Sequence, residues 1–292
     1  MLFHRVDIIF KVMKTKLKAL LQLTRPVNVL IGGLSIFLGG FVTGHIDALW
    51  PLMLAAVSGM LITGGANAIN DVFDLEIDRI NKPQRPLPSG RISLRMARFW
   101  ALGLFAAGVF VAVWVNTAAL LIASLSAGLL YLYSARLKPT AFWGNLTVGF
   151  VSGLAFVYGG VAVGRLKIAI VVGGFACLYH IAREIIKDLE DVEGDRDQGG
   201  QTLPIRYGFK PAMSIATAAM AAVIAATLLP LCTDWFGRAY YYIVIPGVDL
   251  FLVGIAAAMW MKPERARFHL LSTLMKADML VGLLAVYCGR LL

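Results

Sequence analysis

Charged side chains are scarce in this 292-residue chain. Asp, Glu, Lys and Arg together make up 15% of it, while 59% of the residues are hydrophobic. A soluble globular domain typically contains about 25% charged residues. The mean hydropathy of +0.76 and the repeated apolar runs of about 20 residues exclude an ordinary soluble domain. They predict a polytopic membrane protein.

Cysteine and histidine are also rare, with three and four residues. Cys177, Cys232 and Cys288 all fall within apolar runs, and no pair has the spacing of a metal-ligand motif. Buried cysteine usually behaves as a small hydrophobic residue. The histidines, His45 and His180 among them, are scattered along the chain. The sequence therefore favours neither a thiolate nor an imidazole metal site.

Nine apolar stretches are long enough to cross a bilayer. None alternates polar and apolar residues as a strand does, and only helices or closed barrels satisfy their backbone hydrogen bonds in lipid. The sequence thus predicts an all-α fold and a single integral-membrane domain over 1–292. The predicted spans lie near 27–44, 50–69, 97–115, 117–133, 143–163, 168–186, 211–232, 239–260 and 270–290.

Acidic residues are outnumbered, 17 against 27 lysines and arginines, which gives a formal net charge of +10. If the N-terminus is cytoplasmic, all but four of the basic residues fall at the cytoplasmic face. The exceptions are Arg165, Lys167, Arg238 and Arg290. The positive-inside rule then fixes the orientation in the cell membrane and explains the charge without nucleic acid. Positive charge at the surface also attracts anionic membrane lipids.

Residues 1–25 do not have the pattern of a signal peptide, because their apolar core is short and no small-residue cleavage site follows. Lys11, Lys14 and Lys18 mark one face of a helix, and apolar residues mark most of another. This pattern predicts an interfacial amphipathic helix that leads into the first span.

Two connections are long, 70–96 and 187–211, and both are cytoplasmic in this orientation. Both contain many charges, Gly and Pro, and long loops in compact proteins are often functional. Each opens with three aspartates at the spacing i, i+3, i+7. The triplets are Asp71, Asp74 and Asp78, and Asp188, Asp191 and Asp195. Internal symmetry of this kind in a membrane protein points to a site between the repeats.

Residues at i, i+3 and i+7 share one helix face, so each triplet predicts a stripe of carboxylates. Asn67 and Glu184 extend the stripes by one turn toward the membrane. Both stripes follow spans that run toward the cytoplasm, and the C-terminal end of a helix carries about half a negative charge. Acids are therefore disfavoured there, and a divalent cation would resolve the conflict.

Carboxylate oxygens suit Mg²⁺, Mn²⁺ or Ca²⁺. Mg²⁺ commonly joins one or two carboxylates to substrate phosphates. The two stripes therefore predict a phosphorylated ligand that is bridged by Mg²⁺. The alternative is a pair of solvated loops in which nearby bases neutralise the acids. Those bases are Arg79, Lys82, Arg183 and Lys187. Two stripes with matched spacing favour a site over solvated loops.

The paired motifs resemble those of the UbiA-type intramembrane prenyltransferases. The resemblance is carried by Asn70 with the first triplet, by "INKPQRPLPSGRIS", by "YLYSARLK" at 131–138 and by the second triplet. It extends from "LTRPVN" at 23–28 to at least "TLPIRYG" at 202–208. It implies nine helices around a central cavity, an isoprenyl diphosphate donor, Mg²⁺ and the release of pyrophosphate.

Within the family, the two motif regions are most similar to the digeranylgeranylglyceryl phosphate synthase subfamily. That similarity implies transfer of a geranylgeranyl group to geranylgeranylglyceryl phosphate in ether-lipid synthesis. Chlorophyll synthases and quinone-pathway enzymes have related first motifs. A chlorophyllide or an aromatic quinone precursor therefore stays open as the acceptor.

The resemblance also implies roles for individual residues. The catalytic aspartates would hold two Mg²⁺ ions, through Asn67, Asn70, Asp71, Asp74 and Asp78 at one site and Asp188, Asp191 and Asp195 at the other. The bases expected to take the remaining phosphate charge are Lys138, Arg85, Arg183, Lys187 and Arg206. Asn28 is expected to face the substrate. Tyr133 and Tyr158 are expected to line the carbocation region, since aromatic faces favour cations.

Other residues near the motifs have less specific expectations. Glu76 and Glu190 lie off the stripes and are expected to be solvated or paired with bases. The prenyl chain needs an apolar slot among the helices. Small residues would open such a slot, or would serve close helix packing, which is their commoner use. The candidates are Gly32, Gly33, Gly39, Gly40, Gly64 and Gly65.

A divalent-cation or phosphate carrier is the non-enzymatic alternative. Carriers place ionisable residues near the bilayer midplane, often on broken helices. Here the acids cluster at one interface and the spans contain few charges. The distribution of charge therefore favours an enzyme over a carrier.

Overall fold

The computed structural model describes residues 2–44, 48–197 and 199–291, and within them the side chains of all residues except 2–12 and 81. The regular elements in these ranges are all helices, as the apolar runs predict. The α-helices are α1 (Leu2–Leu23), α2 (Pro26–Phe41), α3 (Leu49–Phe73), α4 (Leu75–Asn81), α5 (Leu94–Ala112), α6 (Thr117–Leu132), α7 (Trp143–Ala162), α8 (Lys167–Asp197), α9 (Leu203–Tyr207), α10 (Phe209–Leu228), α11 (Arg238–Val244), α12 (Leu250–Met261) and α13 (Arg265–Leu291). Two π-helical turns (Tyr133–Leu137 and Ile245–Asp249) and one 3₁₀ turn (Leu229–Cys232) extend or join them.

In the described part of the chain, eight helices are long and apolar enough to cross a membrane. A ninth span arises if the bent pair Met13–Leu23 and Pro26–Phe41, which meet at 50°, is one crossing. The nine predicted spans are therefore confirmed by length and composition, and the protein is a multi-span helical membrane protein. His45 and the side chain of Lys11 lie outside the described residues.

The chain divides into two compact units. The first consists of Met1–Leu34 and Leu54–Ala135, and the second of Ser35–Met53 and Arg136–Leu292. The expectation of a single domain over 1–292 stays a prediction.

Within the first unit, α3 and α5 pack closely. Ser58 Oγ donates a 2.7 Å hydrogen bond to Gly108 O, and a Cβ on Gly65 would lie 3.0 Å from Ala101 O. Side-chain caps fix where the helices begin: Ser93 accepts from Met96 N before α5, and Asn116 accepts from Ala119 N before α6. Such caps satisfy backbone N–H groups that the first helical turn leaves unpaired.

Within the second unit, α8 lies at the centre and packs against α7, α10 and α13. The unit's apolar core surrounds it and includes fully buried Ile185, Ile186 and Leu189 from α8 itself. The end of α8 that carries aspartates therefore continues directly from a firmly packed helix.

Glycines allow two helices of the second unit to approach each other at backbone distance. A Cβ built on Gly39 would lie 2.1 Å from Phe156 O, and one on Gly159 would lie 1.8 Å from Ile36 O. Of the two uses considered for Gly39, close helix packing is therefore the one that the structure shows.

The long connections are more helical than their sequence predicts. The connection expected at 187–211 begins only after Asp197, because α8 continues without a break through all three aspartates of the second triplet. The connection expected at 70–96 has α4 in its middle, and α5 already begins at Leu94. The second triplet thus lies on one helix, and the first lies on α3 and α4 with Asp74 in the turn between them. The boundaries of the two loops are corrected accordingly.

Replacing Gly39 with alanine should destabilise the protein in detergent by at least about 1–3 kcal/mol, the usual cost of overpacking. The matched control is Gly174→Ala on α8, where an added Cβ meets nothing within 4 Å. That change should be neutral or stabilising by about 0.5–1 kcal/mol. Thermal unfolding of the two variants checks the difference, and equal midpoints would contradict the close approach.

Candidate functional site

The first aspartate triplet lies where α3 passes into α4. Asp71 is on the last turn of α3, Asp74 is at the junction, and Asp78 is on α4. Backbone hydrogen bonds from Asp74 N to Asn70 O and from Asp78 N to Asp74 O continue the i to i−4 pattern across the junction. The three carboxylates therefore share one face, as predicted. They are 3%, 7% and 2% exposed.

Two arginines compensate this buried negative charge. Arg85 Nη1 donates to Asp78 Oδ2 at 2.6 Å and to Asp71 Oδ1 at 3.2 Å. Arg25 donates to the same Asp71 oxygen. A guanidinium presents several donors in a rigid fork and is suited to holding two carboxylates. Asp71 and Asp78 thus share the guanidinium of Arg85, and Arg25 is a second counter-ion of Asp71.

The two asparagines of the first motif are held by hydrogen bonds. Asn70 Nδ2 donates to Asp74 Oδ2 at 2.7 Å. Asn67 Nδ2 donates to Thr24 O at 2.8 Å, next to the C-terminal end of α1. In both residues the nitrogen of the amide makes the bond, which leaves the amide oxygen as the group suited to a cation.

Arg25 has a left-handed backbone, with φ of 52°. For an L-residue this conformation costs about 1–2 kcal/mol, and it occurs here directly before Pro26. The strained residue is the one whose side chain contacts Asp71. Backbone strain of this kind is commonly found at functional sites.

The second triplet lies on α8, and its setting is different. Asp188 and Asp195 are partly buried, and Asp191 is exposed. Glu184, one turn deeper, is only 8% exposed. It accepts from Arg183 Nη1 and from Lys187 Nζ, both at 2.9 Å. Arg183 and Lys187, which were expected to take phosphate charge, thus pair with the carboxylate that extends the stripe.

Two hydrogen bonds within the second unit join the region around Lys138 to α8 and to the connection that follows α8. Asn145 Nδ2 donates to Asp188 Oδ2 at 2.8 Å, and Asn145 is only 4% exposed. Gln201 N donates to Pro139 O at 2.7 Å, which joins the connection after α8 to the residue after Lys138. Lys138 therefore belongs to a segment that is held against the helix of the second triplet.

Lys138 directly follows a π-helical turn that begins at Tyr133. Single π-helical turns are rare and are often found at functional sites. The "YLYSARLK" stretch quoted from the sequence includes this whole irregular turn. Tyr158, on α7, is 3% exposed.

The other expected substrate residues are Arg206 and Asn28. Arg206 is on the short helix α9, and its guanidinium lies 5.4 Å from the centre of the Tyr207 ring. Asn28 is on the first turn of α2, three residues after Arg25, and is partly buried. Phosphate binding by Arg206 and substrate contact by Asn28 stay predictions.

Within the described residues, no three His, Cys, Asp or Glu side chains form a cluster that could hold a metal by themselves. The oxygen donors nevertheless fit a hard divalent cation. Mg²⁺ usually keeps several waters and takes only one or two protein carboxylates together with substrate phosphates. A site of that kind does not require three preformed protein ligands.

Glu76 is exposed and pairs with Arg79, as expected of a residue off the stripe. Sequence reasoning missed Asn145, because a lone Asn inside an apolar span gives no local sign of its partner. It also did not identify Arg25 as a counter-ion of Asp71. The sequence feature that could have drawn attention to Arg25 is its place directly before Pro26.

Comparisons of the sequence with a family model and with individual proteins point to the same family. The model of the UbiA prenyltransferase family matches residues 31–277. The chain is 40% identical over 279 residues to digeranylgeranylglyceryl phosphate synthase of Methanopyrus kandleri, a match that covers 94% of this chain and 100% of that one. The corresponding enzyme of Methanothermobacter thermautotrophicus is 36% identical, with 92% and 95% covered.

Solved structures show the same similarity. A structure of digeranylgeranylglyceryl phosphate synthase matches with a TM-score of 0.79 and 33% identity, and the match covers 94% of this chain and 98% of that one. A UbiA homologue from Archaeoglobus fulgidus, bound to GPP and Mg²⁺, matches with a TM-score of 0.69 over 92% of this chain and 99% of that one. At 19% identity, this second likeness concerns the fold alone.

Removing the guanidinium of Arg85 should destabilise the protein, because Asp71 and Asp78 lose a shared counter-ion. Breaking a buried ion pair costs about 3–5 kcal/mol. Since Arg85 is about a quarter exposed, we expect roughly 1–3 kcal/mol for Arg85→Ala. Added Mg²⁺ should restore part of the loss by neutralising the same carboxylates, and thermal unfolding with and without Mg²⁺ measures both effects.

The matched control is Arg79→Ala, which removes an exposed partner of exposed Glu76. Exposed ion pairs contribute about 0–1 kcal/mol, so this variant should unfold like the parent protein. An Arg85→Ala protein as stable as the Arg79→Ala protein would contradict the assigned charge compensation.

Proposed function

This chain belongs to the UbiA prenyltransferase family, and on that premise we propose that it transfers a geranylgeranyl group from its diphosphate to geranylgeranylglyceryl phosphate. The product would be a precursor of ether-linked membrane lipids, and pyrophosphate would be released. The acceptor is supported by relatives at 35–40% identity that share the name digeranylgeranylglyceryl phosphate synthase. These matches cover nearly the whole of this chain.

The observation that carries the proposal is the set of buried carboxylates on one face at the end of α3. A membrane protein does not bury three aspartates at the end of a span without a function for them, since each buried charge has a large desolvation cost. Arg25 and Arg85 contact Asp71 and Asp78 of this set. Carboxylates that lie together on one face are suited to a Mg²⁺ ion that also binds substrate phosphates.

The donor class is supported by the fold relative that binds GPP and Mg²⁺. In this chain, Asn67, Asn70, Asp71, Asp74 and Asp78 would hold one Mg²⁺, and Asp188, Asp191 and Asp195 would hold the other. Bound Mg²⁺ supplies a Lewis acid that neutralises the charge of the leaving diphosphate.

The basic residues would bind and orient the phosphate oxygens. Lys138 is the first candidate, because its segment is tied to the second triplet through Asn145. Arg85 would exchange a carboxylate partner for a phosphate oxygen, since its fork can contact either. Further contacts would come from Arg183, Lys187 and Arg206. Asn28 would face the substrate at the start of α2.

Tyr133 and Tyr158 would present aromatic faces to the developing allylic cation. Water has to be kept from such a cation, which would otherwise be hydrolysed. Tyr158 on α7 is 3% exposed, and this burial supports a place inside the helix bundle better than one among the exposed tyrosines of the membrane interface.

The site would lie at the cytoplasmic face. Support comes from the distribution of Lys and Arg, which the positive-inside rule assigns to that side. The aspartates lie toward the ends of α3 and α8 that the same orientation places in the cytoplasm.

Purified protein should release pyrophosphate from geranylgeranyl diphosphate when geranylgeranylglyceryl phosphate and Mg²⁺ are both present. Chelation of Mg²⁺ should stop the reaction, and mass spectrometry should detect the doubly prenylated glyceryl phosphate. The measurement should also include an aromatic quinone precursor and a chlorophyllide as acceptors. Turnover with one of these alone would overturn the proposed acceptor, and no turnover with any would overturn the enzyme assignment.

Replacing Asp71 or Asp191 with asparagine should lower kcat by at least the roughly 10–100-fold that loss of an outer metal partner typically costs. Asparagine keeps the size and removes the charge. The controls are Glu76→Gln and Glu193→Gln, whose side chains are 78% and 79% exposed. These controls should retain parental turnover. Full activity in Asp71→Asn and Asp191→Asn would contradict the metal assignment.

A further inference from the structure

A series of polar contacts joins α8 to α13 in the second unit. Tyr179 OH lies 2.8 Å from Asp278 Oδ2 and 2.9 Å from Met275 O. Arg183 Nε donates to Ser272 O at 3.2 Å. These contacts lie in the part of the helix pair where Tyr179, Ser272 and Asp278 are all less than 9% exposed.

The series continues toward the end of α8 that carries the aspartates. Ser272 Oγ donates to Glu190 Oε2 at 2.9 Å, and His269 Nδ1 lies 2.6 Å from Glu190 Oε1. Both oxygens of this carboxylate are therefore engaged by α13. The Glu190 side chain is only 18% exposed. Beyond it, Arg265 Nη1 donates to Glu193 Oε2 at 3.0 Å, between two largely exposed side chains.

The α8 residues of this series share one face of the helix. Tyr179, Arg183, Glu190 and Glu193 follow one another at intervals of four, seven and three residues, which places them in one stripe. At about 100° per residue, the three aspartates of the second triplet lie roughly 100–160° around the helix from Glu190. One face of α8 thus binds α13, and the triplet occupies a different face.

Rotation of α8 about its axis would move the triplet directly. Side-chain atoms lie about 5–6 Å from a helix axis, so a rotation of about 20° would displace a carboxylate by about 2 Å. Mg²⁺ demands near-ideal geometry with bonds of about 2.0–2.1 Å. Even a displacement of about 1 Å in a reacting geometry can cost about 10²-fold in rate.

Among the contacts between α8 and α13, the one at Glu190 is closest to the triplet and is also shielded from water. Glu190 lies between Asp188 and Asp191 along the chain, and the next contact, at Glu193, is exposed. Exposed ion pairs hold geometry weakly, whereas a carboxylate with both oxygens engaged and little exposure restricts the helix. The contact between Glu190 and α13 is therefore suited to fixing the rotation of this end of α8.

We propose that Glu190, held by Ser272 and His269 of α13, is a positioning residue that sets the rotation of α8 and so aims Asp188, Asp191 and Asp195 at the diphosphate-bound Mg²⁺. This rests on the proposed function, because the triplet's ligand is the one proposed above. Glu190 acts through the aspartates and contacts neither the metal nor the substrate. No sequence motif assigns this role, since Glu190 lies off the carboxylate stripe.

The first test compares Glu190→Ala, Glu190→Gln and Ser272→Ala with the control Glu193→Ala. Glu190→Ala should lower kcat by roughly 10–100-fold and raise several-fold the Mg²⁺ concentration that gives half-maximal pyrophosphate release. Glu190→Gln should retain most of the activity, because its amide oxygen still accepts from Ser272 Oγ. Glu193→Ala should behave like the parent protein.

Coupling between the two helices gives a sharper test. Ser272→Ala removes the donor to Glu190 but keeps the backbone carbonyl that Arg183 contacts. Residues in one network are not additive, so the double variant of Glu190→Ala and Ser272→Ala should lose little more than Glu190→Ala alone. Fully additive losses would overturn the assigned contact.

A second readout does not depend on catalysis. In a protein whose three native cysteines are replaced, Val192→Cys serves as a buried probe, since Val192 is 6% exposed. A water-soluble maleimide should label it slowly in the parent background and faster when Glu190→Ala is added. The matched probe Glu193→Cys is exposed in the parent and should be labelled quickly in both backgrounds.

The outcomes distinguish a failure of the positioning role of Glu190 from a failure of the proposed function. Unchanged labelling of the Val192→Cys probe together with an unchanged Mg²⁺ requirement in Glu190→Ala would overturn the positioning role. A loss of active protein with the parental Mg²⁺ requirement would also overturn it, because that pattern reflects folding alone. Absence of turnover in the parent protein would overturn the proposed function, while the labelling experiment would still decide whether Glu190 holds the helix.

Discussion

The contacts of Arg25 and Arg85 with the first aspartate triplet are the interactions on which the first unit's site depends. Three carboxylates are buried where a membrane span ends, and the negative end of the helix dipole adds to their repulsion. The two guanidinium groups make this arrangement tolerable. The left-handed backbone of Arg25 shows that the chain accepts local strain to place one of these groups.

The two triplets have the same spacing but do not have the same surroundings. The first is buried and paired with arginines, whereas the second includes an exposed aspartate and is fixed through neighbours. Asn145 holds Asp188, and Glu184 is enclosed by Arg183 and Lys187. The repeated sequence pattern therefore supplies two carboxylate stripes, and each unit stabilises its own stripe by different chemistry.

Helix α8 joins the apolar core of the second unit to its acidic site. Its deeper part is fixed by packing with α7 and α10, and glycines bring the backbones of α7 and α8 together. A Cβ on Gly153, for example, would lie 2.5 Å from Gly173 O. Toward Asp197 the helix has fewer apolar neighbours, and polar contacts with α13 take over. Rigid elements hold a site more accurately than loops do, and the continuation of α8 past the expected loop boundary is one example of this rule.

The sequence by itself determined the helical class, the spans and the carboxylate stripes. Each of these depends on spacing within a few residues or on the composition of about 20 residues, which can be read along the chain. Only the tertiary structure decided the partners of the acids. Arg25 and Asp71 are 46 residues apart, Asn145 and Asp188 are 43 apart, and Ser272 and Glu190 are 82 apart. Periodicity tells which face a residue occupies, but it does not tell which distant helix meets that face. Packing selects that neighbour, and with it the counter-ion of each buried charge.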